Sequence, residues 1–445
     1  MDRDIYDAKA VRRLIIFLML PIIAENFLQV FTDLLATAMV GRLTEMDISA
    51  QGMCTKTIDL VYYLFRGTGV ALVVIIAKKL TGDGLDVCRT IFEKAAVSTI
   101  VISTVMGMLL YMRPELVLQV FTDEQELILH AAKYLRILLC CLPFWGLTVC
   151  VSSAFQANGD TKTPMYIAVF VNLLNTVLCY GMIFGKFGMP ELGYIGAALS
   201  LVISRVIGCV ISIIMIYSRR VGIFSWKGKR TPADRVLAEV YSIGIPNAGE
   251  WAVWQVASII LSRIILSYGQ SAFAAYQLGV QAEFLTEIPA IGFSVAATSM
   301  ISRAIGLKDK RLFEVYKKEM LRICIAISAV TSCSLMFFPG FFMGMLTDNA
   351  ELIEIGIVYV VIMGTIQIPM NVSKIYNGIL RSGGCKTTPL KIQMAMMWGF
   401  RIPVVIFCAS VLHLPLYSVW IVIALDQIMK WALCKHRANH KVIVQ

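Results

Sequence analysis

The chain has 445 residues, 58% of them hydrophobic and only 16% charged, with a mean hydropathy of +0.75. Soluble domains carry roughly 25% charged residues, so this composition excludes an ordinary soluble globule and predicts a polytopic all-α membrane protein. The formal net charge of +11 implies no nucleic-acid partner, because excess Lys and Arg in a membrane protein belong in cytoplasmic loops.

A membrane span needs ~20 mainly apolar residues. That rule predicts twelve, at roughly 14–40, 49–78, 89–112, 127–156, 162–185, 193–218, 236–267, 273–303, 320–343, 351–379, 390–412 and 415–434. The first follows Arg12 and Arg13 and is too long for a signal-peptide core, so it is expected to stay as a span. Basic residues gather in alternate connections. Lys78, Lys79, Arg89 and Lys94 follow the second span, Arg219, Arg220, Lys227, Lys229, Arg230 and Arg235 fill the central linker, and Lys308, Lys310, Arg311, Lys317, Lys318 and Arg322 follow the eighth. Segments 268–272, 344–350 and 413–415 hold neither Lys nor Arg. Both termini are therefore expected in the cytoplasm.

The chain repeats itself at an offset of 225 residues. Phe155-Gln-Ala-Asn-Gly-Asp-Thr-Lys-Thr-Pro164 matches Leu380-Arg-Ser-Gly-Gly-Cys-Lys-Thr-Thr-Pro389, and 389 − 164 = 225. Pro21 and Pro246, Glu25 and Glu250, Ala50 and Ala275, and Arg205 and Lys430 share that spacing. Six spans per copy give both halves the same orientation. The expected lobes are 1–222 and 223–445, six helices each, parted at the linker of about 219–235. They are expected to be related by an axis along the membrane normal, with a substrate site between them near the midplane.

Within this frame the carboxylates stand out. An ionised side chain at the bilayer centre costs ~2.5–3.5 kcal/mol or more and is by default a functional hypothesis. Glu250 lies ~14 residues and ~21 Å into its span, deep enough to carry a proton or hold Na+. Its repeat partner Glu25 shares one broad helical face with Gln29, Thr32 and Asp33. Glu250, Glu25 and Asp33 are the expected cation-coupling residues, with H+ or Na+ as the ion. The structural alternatives are pairing of Glu250 with Arg263, and of Glu25 with Arg66 or Lys56. Pro21 and Pro246, four residues before each Glu, remove a backbone donor and are expected hinges. Gln29, Asn172, Asn175, Trp254, Gln255, Tyr276 and Glu283 are expected to line the substrate site. An aromatic beside an acid suits an organic cation, while mid-membrane Asn and Trp also serve as plain packing.

Other chemistry has little support. The twelve cysteines occur singly or as Cys140-Cys141, mostly inside apolar runs, and read as small buried hydrophobes. His130, His413, His436 and His440 form no metal cluster. No Walker A, nucleophile elbow or HExxH motif is present, so no catalytic residues, metal, cofactor or enzyme activity is expected.

Ser152-Ser-Ala-Phe-Gln-Ala-Asn-Gly-Asp-Thr-Lys-Thr-Pro-Met165, Asn172-Leu-Leu-Asn175, Gly193-Tyr-Ile-Gly-Ala-Ala198, Ile243-Gly-Ile-Pro246 with Glu250, and Gly292-Phe-Ser-Val-Ala-Ala297 resemble the multidrug and toxic compound extrusion (MATE) family over nearly the whole length. The resemblance implies a two-lobe, twelve-helix antiporter in the cell membrane. Such a protein expels lipophilic organic cations in exchange for H+ or Na+, acts as a monomer and has the lipid bilayer as its other partner. It matches Glu250 to the family's seventh-helix acid. Ala36, Cys179 and Met370 stand where the family often has Asp, with Asp33 one turn before Ala36. A flippase or exporter of a lipid-linked or polar anionic metabolite is the alternative, given Arg66, Arg136, Arg205, Arg263, Lys374 and Arg401 in or near spans.

Overall fold

The structure is a computed structural model and describes residues 7–40, 42–80, 85–218, 236–347 and 349–441. In hydrocarbon a backbone must satisfy its own N–H and C=O groups, which apolar runs of this length do by coiling into helices. Every described element is accordingly a helix. In chain order they are α1 Ala8–Val40, α2 Glu45–Lys79, α3 Leu85–Met112, α4 Pro114–Leu118, α5 Gln125–Leu139, α6 Leu142–Ala157, α7 Lys162–Phe184, α8 Tyr194–Ile216, α9 Val236–Leu266, α10 Gln270–Gly306, α11 Lys310–Phe337, α12 Pro339–Gly344, α13 Ala350–Thr365, α14 Gln367–Ser382, α15 Thr388–Met396, α16 Ile402–Ile406 and α17 Tyr417–Lys441. Met397–Arg401 and Phe407–Val411 wind as short π-helical turns either side of α16.

Among the described residues, ten spans are long and apolar enough to cross a membrane unbroken, and the pairs α5–α6 and α13–α14 bend by 45° and 52°. Counting each pair as one span gives the twelve that the sequence predicts. The expected spans 127–156 and 351–379 are each made of two helices that meet at a bend. The cause is local: Pro143 and Pro369 follow the breaks, and a proline ring clashes with the carbonyl four residues back. Those carbonyls belong to Leu139 and Thr365, where α5 and α13 end. The repeat is visible in the element starts, since α2 and α10 begin at Glu45 and Gln270, and α3 and α11 at Leu85 and Lys310, each 225 apart.

By contact the chain forms two compact units, Pro21–Ile245 and Met1–Leu20 with Pro246–Gln445. Both boundaries fall inside a helix, at the prolines of α1 and α9. The opening of α1 therefore packs with the C-terminal residues: Val11, Ile15, Leu18 and Met19 are buried, and Arg12 donates to Glu319 of α11, which Arg322 also binds. The opening of α9 packs in the other unit. Val236, Val240 and Ile243 join Ala71, Leu72, Ile76 and Phe155 in one core. Gly244 makes this possible, because a Cβ there would lie 3.2 Å from the carbonyl carbon of Gly67. These units differ from the lobes expected at 222/223 by exchange of two helix openings, and the linker 219–235 lies outside the described residues.

Helices α7 and α8 show how small residues set spacing in the unit Pro21–Ile245. A Cβ on Gly196 would fall 2.6 Å from the Met182 carbonyl oxygen. Overpacking of this kind typically costs ~1–3 kcal/mol. Gly196→Val is expected to lower the apparent Tm of the detergent-solubilised protein by several degrees, and an unchanged Tm would contradict this close approach.

Candidate functional site

In the unit Pro21–Ile245, the polar stripe of α1 is built on three successive turns. Gln29 donates from Nε2 to both carboxylate oxygens of Asp33, each at 3.1 Å. Arg205 of α8 donates to Gln29 Oε1 at 3.3 Å. Glu25 lies one turn earlier, with Oε2 buried and without a hydrogen-bond partner. The charge of Arg205 acts on both Glu25 and Asp33. So Glu25, Gln29 and Asp33 do come together, and the base they gather around is Arg205, not Arg66 or Lys56. Asn172 and Asn175 are buried on α7, with Asn172 Nδ2 and Asn175 Oδ1 unpartnered. Their neighbour Val171 packs against Gly208 of α8, one turn beyond Arg205.

The arrangement in the other unit differs. Glu250 is in a buried ion pair, accepting at Oε2 from Arg381 Nη2 of α14 at 2.6 Å. Lys430 of α17 is within electrostatic range of Glu250 and Asp426 and donates to Gln393. Arg401 binds Asp426, with Nε 2.9 Å from Oδ2. The partner of Glu250 is therefore Arg381, not Arg263. Tyr276 and Glu283 meet through Tyr359, whose hydroxyl donates to Glu283 at 2.6 Å and whose ring takes Tyr276 edge-on. Glu287 pairs with Lys374 at 2.9 Å. Trp254 is exposed and meets Trp251 edge-on, and Gln255 is half-buried beside it. Pro21 and Pro246 sit at the unit boundaries.

Sequence reasoning missed Arg381, Asp426 and Gln393. Asp426 was findable, being an acid in the middle of the last apolar run. Arg381 was not, because it is the second residue of the repeated motif that begins at Leu380, where its copy is Gln156, and reads as a loop charge. A lone buried charge is strongly unfavourable, so breaking such a pair costs ~3–5 kcal/mol. Arg381→Met is expected to destabilise the protein by about that much in thermal unfolding, and the double variant Arg381→Met/Glu250→Gln to recover most of it. Equal loss in both would contradict the pairing.

Comparison with known proteins places this geometry in a lineage. The MatE family model matches residues 21–181 and 246–407, starting at the two helix prolines. The chain is 28% identical over 427 residues to the probable multidrug resistance protein NorM of Thermotoga maritima, covering 95% of this chain and 91% of the relative. It is 24% identical over 428 residues to the uncharacterized transporter YisQ of Bacillus subtilis, covering 96% and 93%. A MOP superfamily transporter from Pyrococcus furiosus, described as having a binding pocket of reverse polarity, shares the fold with a TM-score of 0.90 at 16% identity, over 97% of this chain and 96% of that one. The Vibrio cholerae MATE transporter VcmN in its bent form does so at 0.89 and 17% identity, over 98% of both. Since the family model covers most of the chain and recurs in both halves, this protein belongs to the MatE family.

Proposed function

We propose that the chain is a secondary active exporter of lipophilic organic cations, driven by H+ or Na+ in antiport through alternating access. The observation that carries this reading is Glu25, a half-buried carboxylate at a repeated position whose Oε2 is buried and unpartnered and which, unlike its copy Glu250, has no ion pair among the described residues. Leaving a buried acceptor unsatisfied is unfavourable, more so when it is charged, and a proton or Na+ relieves that. The small ion and the organic cation compete for Glu25 and Asp33, so one leaves as the other arrives. A ligand shifts the two-state equilibrium only by its differential affinity for the states. Glu250 takes part only when its pair with Arg381 opens. Pro21 and Pro246 serve as hinges, because each marks the point where a long helix passes from one compact unit to the other.

Gln29, Asn172 and Asn175 are the residues that supply polar contacts to a substrate within the unit Pro21–Ile245; Trp254, Gln255, Tyr276 and Glu283 are the candidates for substrate contact in the other unit, taken by itself. The protein acts as a monomer in the cell membrane with both termini cytoplasmic, in keeping with the basic connections after the second and eighth spans. The multidrug-resistance names of its relatives support export of varied small molecules. A second reading, export of an anionic or lipid-linked metabolite, is favoured by the interior bases Arg381, Arg401 and Lys430.

The test is cationic-dye transport in proteoliposomes, with pH and Na+ gradients imposed separately. Wild type is expected to move the dye under one gradient, with Glu25→Gln slower by at least about tenfold and Glu250→Gln less affected. No gradient-driven cation movement by wild type, with transport of an anionic lipid head group instead, would favour the second reading.

A further inference from the structure

The unit Pro21–Ile245 holds an aromatic stack that none of the coupling chemistry uses. Tyr62 of α2 and Trp145 of α6 lie face to face, ring centroids 4.4 Å apart and planes 19° from parallel. The guanidinium of Arg205 sits over the Trp145 ring, 4.8 Å from its centroid. The same Arg205 donates to Gln29, whose amide holds Asp33, and its charge acts on Glu25. One cation thus lies over an aromatic face and, through Gln29, is tied to Asp33. Tyr62, Trp145 and Arg205 are all half-buried, so the stack is not sealed inside the core.

The repeat shows which of these parts are particular to this unit. Adding 225 to Glu25 and Arg205 gives Glu250 and Lys430, an acid and a base again. Adding it to Tyr62, Trp145 and Asp33 gives Glu287, Met370 and Ser258. The acid–base pair is common to both halves, whereas the aromatic platform and second carboxylate occur in one. A feature absent from the repeat copy is not required to build this helix bundle.

We infer that Trp145, stacked on Tyr62, is the platform for the organic cation and that Arg205 occupies it as a built-in stand-in when no substrate is bound. The inference rests on the export reading above and adds the residues that recognise the cargo. A planar or aryl-substituted cation suits the face of tryptophan through the ring quadrupole and apolar contact. On arrival it displaces the guanidinium, which then turns fully to Glu25 and Asp33. The substrate reaches the carboxylates through Arg205, so cargo and coupling ion are antagonists without sharing every contact.

The signs are opposite for the two residues, which makes the test sharp. Equilibrium binding of tetraphenylphosphonium to the purified full-length protein in detergent is measured for wild type, Trp145→Leu, Trp145→Phe and Arg205→Gln. Trp145→Leu is expected to weaken binding about tenfold, Trp145→Phe by less, and Arg205→Gln to strengthen it about fivefold because the internal competitor is gone. Weaker or unchanged binding in Arg205→Gln would overturn the inference, as would wild-type affinity in Trp145→Leu. Trp145→Phe keeps the platform and so keeps the test valid if the leucine variant does not fold. If wild type fails to bind the cation at all, the export reading falls too; if it binds but the variants do not follow these signs, only this inference falls.

Discussion

Everything in this protein turns on how a carboxylate is accommodated inside helices that are otherwise apolar. Glu25 and Glu250 occupy equivalent places in a duplicated half, each four residues past a proline. Low-dielectric surroundings make an ionised side chain unfavourable unless it is paired. The two halves answer that demand differently. Glu250 has Arg381 at 2.6 Å and, with Lys430 nearby, is held in a buried network. One carboxylate oxygen of each, Glu250 Oε1 and Glu25 Oε2, is buried without a hydrogen-bond partner, but Glu25 has no ion pair among the described residues, only a base within electrostatic range. In this account the first arrangement stabilises one half and the second leaves a place for an exchangeable ion.

The same duplication explains the architecture. Repeated prolines let α1 and α9 leave one compact unit and enter the other part-way along a single helix. Arg12 on Glu319 and Gly244 against Gly67 fix their openings at their respective ends. The acids lie four residues beyond these prolines.

Much of this was legible before any coordinates. Hydropathy located the ten unbroken spans and the two bent pairs found among the described residues, because helices in lipid must be long and apolar, and the 225-residue offset anticipated the matching starts of α2 and α10. The Glu25, Gln29 and Asp33 stripe followed from helical periodicity. What stayed hidden was partner choice across helices. The sequence suggested Arg263 for Glu250, but the partner is Arg381, contributed from a different helix by tertiary packing. Breaks at Cys140-Cys141 and Ile366 were masked because the flanking residues remain apolar, although Pro143 and Pro369 carried the signal. The Tyr62–Trp145–Arg205 stack joins three helices, and no spacing within one segment betrays it.

The central claim is that the two repeated carboxylates have parted roles, one exchanging ions and the other held by its pair. Its most direct measurement is the competition of H+ and Na+ with a bound organic cation in wild type, Glu25→Gln and Glu250→Gln. The account predicts that competition disappears in Glu25→Gln and persists in Glu250→Gln. Competition that survives in the first variant, or vanishes only in the second, would contradict it.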